Sequence, residues 1–234
     1  MCGRFEMHHQ ADELIERFQL AEIKDQYHGN YNIAPSQQSP VITMQDTHRV
    51  FETMKWGFIP SWSKDAKTGY KMINARCEGI ETKPSFRSAI NQRRCLIPVD
   101  GFYEWRKEGN KTIPYHISIK SENTFALAGL WEEWHDPDSR KPIRSFTIIT
   151  TAANKQMSEI HHRMPAILEP GAESSWLATS TPLSEALDLL KPYCGDLKIY
   201  PVSSAINTAK GQGKELTREC ELNTKEAQAQ GSLF

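Results

Sequence analysis

Short runs of β-branched and aromatic residues, separated by turn-forming residues, recur along most of this chain. Such side chains pack well on a pleated surface and favour extended strands. The segment Glu-Gly-Asn-Lys at 108–111 has the composition of a hairpin turn that leads into one of these runs. The pattern predicts a fold built around strands, at 41–44, 50–59, 94–98, 113–119, 125–131, 144–151, 165–168 and 197–202.

Helical spacing of apolar residues is confined to a few short segments. It predicts helices at 11–20, 153–160, 172–178 and 183–191, whereas the residues YNIAPS at 31–36 have the composition of a loop. No repeat or linker divides the 234 residues, so we expect an α+β fold with one strand-rich mixed domain over 1–207 and peripheral short helices. Residues 208–234 form a polar tail whose composition is typical of partial disorder.

The composition, 38% hydrophobic and 24% charged, is that of a soluble globular protein. No apolar run is long enough to span a membrane and no signal peptide is recognisable, so we expect a cytoplasmic protein. A net charge of −1 gives no overall attraction to nucleic acid, and any DNA contact must come from a local basic patch. Five cysteines without a C-x-x-C spacing predict neither a disulfide framework nor a structural zinc site, and nothing indicates another metal or a cofactor.

Cys2 directly follows Met1, and removal of Met1 would leave Cys2 with an α-amine beside a thiol on adjacent carbons. Reference pKa values of about 7.7–8.0 for such an amine and about 8.5 for such a thiol leave both groups partly reactive near pH 7. A 1,2-aminothiol can trap an aldehyde twice, because the amine forms a Schiff base and the thiolate then closes a five-membered thiazolidine. Its position also fits an ordinary cysteine that happens to stand second.

Two further residues have the chemistry to assist at Cys2. Glu104 lies between two aromatic residues, where a partly buried carboxylate could move protons at an amine and a solvent-facing carboxylate would have no such role. His161 lies between a predicted helix and a predicted strand, and an imidazole suits acid–base chemistry near pH 7. Simple solvent exposure is the alternative for His161, and a metal pair with His162 lacks a third cluster of ligands.

Several polar and aromatic side chains near these segments could contact DNA. Arginines could bind phosphates, tryptophans could stack on bases, and asparagines could orient a sugar oxygen. Each type also has a structural use, in carboxylate pairs, in the core or in turns. The candidates are Arg4, Arg76, Arg93, Arg94, Arg163, Trp62, Trp105, Asn32 and Asn74.

A series of longer motifs spans residues 1–207 in a fixed order. They are MCGRF at 1–5, YNIAPS at 31–36, KWGFIPSW at 55–62, MINARCE at 72–78, KPSFR at 83–87, RRCLIPVDGFYEW at 93–105, AGLWE at 128–132, TIITTAAN at 147–154, IHHRMP at 160–165 and PVSSAIN at 201–207. With these motifs the chain resembles the SOS response-associated peptidase (SRAP) family of abasic-site processing proteins. The resemblance implies a barrel-like, strand-rich domain and a role in DNA damage.

The resemblance also implies roles for individual residues. Cys2 would be the nucleophile, Asn74 would orient the abasic sugar, and Glu104 would handle protons at the Cys2 amine. His161 would act at the sugar ring oxygen and promote the open-chain aldehyde. Residues expected to contact DNA phosphates or bases are Arg4, Arg76, Arg163, Pro35, Trp62 and Trp105.

Together these inferences predict a monomeric sensor of abasic sites in single-stranded DNA. It would form a thiazolidine crosslink through Cys2 and protect the lesion, with β-elimination (lyase activity) as a side path from the Schiff base. Two alternatives remain open. One is a cysteine (auto)peptidase that uses Cys2, His161 and Glu104, and the other is a non-covalent DNA binder in which Cys2 is incidental.

Overall fold

A computed structural model of the chain describes residues 2–120, 124–211 and 213–221. Its strands are β1 (Arg4–Met7), β2 (Leu20–Ile23), β3 (Asn30–Ile33), β4 (Gln38–Gln45), β5 (His48–Trp56), β6 (Asn74–Arg76), β7 (Arg94–Val99), β8 (Gly101–Glu108), β9 (Lys111–Ile119), β10 (Phe125–His135), β11 (Pro142–Ala152), β12 (Arg163–Pro165), β13 (Ile167–Leu168) and β14 (Leu197–Pro201). Its α-helices are α1 (Leu14–Phe18), α2 (Ala89–Gln92), α3 (Lys155–Ser158), α4 (Glu173–Leu177) and α5 (Leu183–Asp188).

Five of these strands close into a barrel. Antiparallel pairing joins β5 to β4, β4 to β7, β7 to β10 and β10 to β11. The ring closes because β11 also pairs in parallel with β5, through Ser145 opposite Lys55 and Phe146 opposite Trp56. Closure leaves these five strands without open edges and encloses a core of apolar side chains.

A second sheet of five strands has the order β14-β9-β8-β1-β3 and is antiparallel throughout. Its β8–β9 hairpin ends with Glu108 opposite Lys111, which confirms the predicted turn. Gly109 in that turn has a φ of +57°, a conformation that glycine adopts without steric cost. The sheet brings the second half of the motif RRCLIPVDGFYEW next to the chain start, because β1 pairs directly with β8.

Aromatic packing joins β1 to the barrel. The rings of Phe5 and Trp56 have centroids 4.9 Å apart, and the Trp56 ring stacks on Phe146 at 6.3 Å. All three side chains are fully buried. Burial of one such side chain stabilises a fold by about 1.5–3 kcal/mol, so these contacts fix the position of the chain start relative to the barrel.

The expected α+β, strand-rich architecture is confirmed, and the central strands lie where the sequence places them. The loop predicted at 31–36 is wrong in its first half, because β3 occupies Asn30–Ile33 and pairs with β1. The strand predicted at 50–59 ends at Trp56, since Gly57 has a φ of +133° and its α-carbon lies against the Gly69 backbone. The four helices are shorter than predicted.

Part of the predicted tail packs on the domain. Leu216 is buried beside Tyr103, Val202 and Ile206, and Val202 forms a β-bridge with Glu219. Residues in the segments 208–211 and 213–221 thus contact the preceding part of the chain. The domain boundary expected at residue 207 stays a prediction. Residues 222–234 lie outside the part of the chain that the structure describes. No helix among the described residues is long and apolar enough to cross a membrane.

Candidate active site

Cys2 lies just before β1 and is fully buried. Its Sγ is 3.7 Å from the Arg4 carbonyl oxygen, and its own carbonyl accepts a hydrogen bond of 2.7 Å from Asn74 Nδ2. Burial, with a further contribution from the Glu104 carboxylate, raises the pKa of the Cys2 thiol to about 12. The thiol of this buried state is therefore protonated near pH 7 and needs a base before it can act as a nucleophile.

Asn74 is held in place by a short strand. β6 pairs in parallel with β11, with Asn74 opposite Ile148, and the next residue, Ala75, is buried in the core. The side-chain Nδ2 is used on Cys2, whereas the buried Oδ1 has no hydrogen-bond partner among the described residues. Asn74 thus fixes the chain start with one end of its amide and presents an acceptor with the other.

Glu104 lies on β8 opposite Tyr115 and is 4% exposed. Its negative charge raises the pKa of Cys2 and opposes the lowering of the pKa of His161. These two effects place the carboxylate within electrostatic reach of both groups. A carboxylate near both a thiol and an imidazole can receive protons from either group and return them.

His161 follows α3 and is partly buried. Its Nδ1 faces the Arg163 backbone N–H at 3.0 Å, from which it can accept a hydrogen bond, and the Arg163 carbonyl at 3.2 Å, to which it can donate one. Burial lowers the pKa of His161, which keeps the ring neutral near pH 7. A neutral imidazole has one N–H and one acceptor nitrogen, so His161 can take part in proton transfer in either direction.

The structure therefore brings together the four predicted catalytic residues, Cys2, Asn74, Glu104 and His161, which are separated by up to 159 positions in the chain.

Two of the residues predicted to contact DNA are accessible to a ligand. Arg76 is exposed at the end of β6, and Trp62 is 63% exposed in the loop after β5. Arg4 is partly buried, and its Nε and Nη1 atoms are buried without a hydrogen-bond partner among the described residues.

Two other predicted contacts are occupied within the protein. Both Nη atoms of Arg163 bind the Glu78 carboxylate, at 2.5 and 3.0 Å, and Nη2 also donates to the Thr150 carbonyl. Asn32 is buried and its Nδ2 donates to the carbonyls of Thr208 and Gly211. These intramolecular bonds indicate that Arg163 and Asn32 support the structure around the site.

The remaining candidates lie on other parts of the two sheets and in the turn after β3. Trp105 is partly buried and its Nε1 donates to Asn207 Oδ1 at 2.7 Å, and Pro35 is partly buried in the turn after β3. Arg94 is buried with its guanidinium on the carbonyls of Trp176, Ile90 and Ala178, and Arg93 pairs with Glu132 at 2.9 Å. Arg93 and Arg94 are therefore structural.

Sequence reasoning missed two features. Lys83 Nζ donates to the carbonyls of Arg76, at 3.2 Å, and Glu78, at 2.8 Å, and so fixes the turn that presents Arg76. The structure also gathers His8, His9 and Asp100 into a cluster of potential ligands, although the sequence indicated no metal site. The sequence shows only the adjacent His8-His9 pair, because Asp100 is more than 90 positions away in the chain.

The sequence profile of the SOS response associated peptidase (SRAP) family matches residues 1–209. The chain belongs to the SRAP family. Among similar proteins, abasic site processing protein YoqW of Bacillus subtilis is 44% identical over 221 residues, which cover 92% of this chain and 98% of YoqW. Abasic site processing protein HMCES of Xenopus tropicalis is 31% identical, with 88% of this chain and 70% of HMCES covered.

Solved structures show the same SRAP-like architecture. A crystal structure of a Bacteroides thetaiotaomicron protein superimposes with a TM-score of 0.85 at 29% identity, and covers 94% of this chain and all of that one. A Bordetella bronchiseptica protein gives a TM-score of 0.75 at 25% identity, with 86% of this chain covered. Family membership thus rests on the sequence matches, and the solved structures support the fold.

Proposed function

We propose that this SRAP protein processes abasic sites in DNA, as the names of its relatives YoqW and HMCES state for those proteins. The observation that carries the proposal is the convergence of an amide, a carboxylate and an imidazole on Cys2 at the start of the chain. An abasic deoxyribose in its open form is an aldehyde. A mature amino-terminal cysteine is the side chain best suited to capture that aldehyde.

The proposed chemistry begins after Met1 has been removed. The Cys2 amine adds to C1′ of the open sugar, and loss of one water molecule gives an imine. The Cys2 sulfur then adds to the imine carbon while the nitrogen gains a proton, and a thiazolidine ring results. The net change is protein plus abasic DNA minus one water, and no oxidant, metal or nucleotide takes part.

The neighbouring side chains supply the proton transfers. His161, within electrostatic reach of Glu104, donates a proton at the ring oxygen and favours the open-chain sugar. Glu104 accepts a proton from the amine and then from the thiol, whose raised pKa makes such a base necessary. Asn74 holds the Cys2 carbonyl at 2.7 Å and keeps amine, thiol and aldehyde in reacting geometry.

Single-stranded DNA is the proposed substrate form. Arg4 and Arg76 would bind phosphates on either side of the lesion, and the exposed Trp62 would stack on a neighbouring base. Arg163 would act indirectly, because its ion pair with Glu78 positions the turn beside Arg76. Binding through phosphates should weaken as salt is added.

The test is incubation with a single-stranded oligonucleotide that contains one abasic site, followed by heating and a denaturing gel. The wild-type protein should give a heat-stable adduct, and Cys2→Ala should give none. Cys2→Ser keeps the amine, so its product should appear only after borohydride reduction of the imine. Cys194→Ala, at an exposed cysteine, is the matched control and should behave as wild type.

The same variants separate the alternatives. A non-covalent binder would retain DNA but give no adduct in the wild-type protein. A peptidase would cleave peptides in a Cys2-dependent manner, and a lyase would cut the abasic strand and release the protein. A wild-type protein that has lost Met1 yet forms no adduct would overturn the crosslinking proposal.

A further inference from the structure

A second group of titratable side chains lies at and beyond the end of β1, away from the Cys2 site formed by Cys2, Asn74, Glu104 and His161. It consists of Glu6, His8, His9, Asp100 and His116, which we call the histidine–carboxylate cluster. These residues line an open cleft of about 480 Å³. Glu6 is four residues from Cys2, about 13 Å along an extended chain, so the cluster is separate from the proposed catalytic residues.

The donor atoms of the cluster are spaced as ligands of a single ion would be. His8 Nδ1 lies 2.9 Å from Asp100 Oδ2, His9 Nδ1 lies 2.8 Å from Asp100 Oδ1, and these ligand atoms lie within 4.8 Å of one another. Glu6 Oε2 is 3.6 Å from His8 Nδ1. Ligands of a tetrahedral zinc ion are about 3.4 Å apart, given metal–ligand distances near 2.1 Å.

Two of these atoms lack a hydrogen-bond partner. The Glu6 side chain is 4% exposed, yet its Oε2 has no hydrogen-bond partner among the described residues, and the same holds for the buried His8 Nδ1. His8 Nδ1 is near Asp100 Oδ2 but is not aligned for a hydrogen bond with it. A buried carboxylate oxygen without a partner is costly, and a shared cation would satisfy both atoms at once.

Neighbouring groups already orient the ligands. His116 Nε2 is 2.7 Å from Glu6 Oε1, and leaves Oε2 directed at His8. Asp100 accepts hydrogen bonds from Thr124 Oγ1 at 2.6 Å and from the His8 backbone N–H at 2.7 Å. The His8 ring is stacked between His9 and Tyr31, with centroids 4.7 and 4.8 Å away. Outer contacts of this kind fix ligand orientation in metal sites.

We propose that the histidine–carboxylate cluster binds one divalent transition-metal ion of the zinc class, through His8 Nδ1, His9 Nδ1, Asp100 and Glu6 Oε2. Two imidazoles with two carboxylates suit Zn²⁺ or a similar ion, whereas Mg²⁺ and Ca²⁺ prefer oxygen ligands alone. The ion would tie the end of β1 to the β7–β8 junction, which carries Asp100. It would thereby stabilise the strand that presents Cys2.

The probe is Zn²⁺ alone, titrated against a chromophoric chelator. The background variant is Cys2→Ala with Cys77→Ser, Cys194→Ser and Cys220→Ser, so that the amino-terminal and more accessible thiols cannot bind the metal. We expect one Zn²⁺ per chain. The double variant His8→Ala/His9→Ala should weaken Zn²⁺ binding by more than about 10-fold. Removal of an outer contact of a metal site already costs about 10-fold or more, and these two residues are proposed as direct ligands.

The matched control is His48→Ala/His135→Ala, which removes two exposed histidines outside the cluster and should leave the affinity unchanged. Glu6→Gln keeps the oxygen that faces His116 and should give an intermediate loss. Imidazole ¹⁵N spectra of the background protein give a readout that needs no cluster variant: Zn²⁺ should shift the Nδ1 signals of His8 and His9. Absence of stoichiometric uptake, or equal affinity in the cluster and control variants, would overturn the proposal.

Discussion

The Cys2 site and the histidine–carboxylate cluster each contain a buried carboxylate near a histidine, but the carboxylates have different surroundings. Burial opposes ionisation of Asp100, yet the contacts with His8 and Thr124 lower its pKa overall and stabilise the charge. Glu104 instead acts on neighbours whose charged forms are disfavoured, since burial raises the pKa of Cys2 and lowers that of His161.

This difference separates a structural carboxylate from a reactive one. Around Asp100 the neighbouring groups favour the charged carboxylate, so it stays ionised and has no proton to exchange near pH 7. Around Cys2 the thiol and the imidazole are both held neutral beside a carboxylate, and small changes on substrate binding can shift a proton between them. We therefore expect substitutions of Glu104 and Asp100 to affect different properties of the protein.

The largest expected effect is the loss in the rate of adduct formation when Glu104 is replaced. Glu104→Gln should slow formation of the DNA adduct by about 10²-fold or more, because a proton acceptor near the amine and thiol is lost. Asp100→Asn should instead lower the free energy of unfolding by about 1–3 kcal/mol, with a near-normal rate per folded molecule. Single-turnover gels and urea unfolding measure the two effects. Equal rate losses in both variants would erase the distinction between the two regions.

The next effect concerns pH. With the pKa of the Cys2 thiol raised to about 12, the thiolate fraction grows about tenfold per pH unit through the neutral range. Formation of the heat-stable adduct should therefore accelerate from pH 6 to pH 9 wherever sulfur addition limits the rate. Cys2→Ser, assayed by borohydride trapping, lacks that step and should show a weaker dependence. Parallel pH profiles in the two proteins would exclude the thiol as the origin.

Arg76 and Arg163 should differ in the property that each affects, DNA binding for Arg76 and stability for Arg163. Arg76→Ala should weaken binding of single-stranded DNA and reduce the slope of log affinity against log salt by about 1, as expected for one lost phosphate contact. Arg163→Ala removes the buried side chain bound to Glu78 and Thr150, and should lower the free energy of unfolding by about 1–3 kcal/mol. Fluorescence anisotropy at several salt concentrations and thermal unfolding distinguish the two roles. A normal salt slope in Arg76→Ala would remove it from the proposed DNA surface.

The smallest effect is acid sensitivity at Glu78. The hydrogen bond from Arg163 lowers the pKa of Glu78 from 4.5 to about 2, so its contribution to stability is full above pH 4.5 and is lost as the pH falls towards 2. Glu78→Gln should be less stable than wild type at pH 6, and the difference should shrink on acidification. Because Glu78 is 57% exposed, the difference should be small and reduced by salt. A gap that persists at pH 2 would contradict the ion-pair explanation.

The long strands were predictable and the short ones were not. β10 and β11 carry enough β-branched and aromatic residues to specify extended structure by themselves. β1 and β6 have only four and three residues, with charged side chains among them, and exist because β8 and β11 supply partners. Closure of the barrel by the parallel β5–β11 pair has no local signal either.

The candidate site shows the same division. The position of Cys2 after Met1 was enough to predict a reactive aminothiol. The approach of residues 74, 104 and 161 to Cys2 depends instead on pairing between distant strands. Only the ordered motifs of the SRAP family indicated that arrangement. The internal ion pair of Arg163 and the buried amide of Asn32 were not foreseen, because a motif does not reveal which of its polar residues face inward.

The most direct test of the central claim is intact mass spectrometry of the wild-type protein before and after incubation with a single-stranded abasic oligonucleotide, followed by tandem sequencing of the adduct. We expect a protein without Met1 that gains the mass of the oligonucleotide minus one water, with the modification on Cys2. An unmodified protein that has lost Met1, or an adduct on a lysine instead of Cys2, would contradict it.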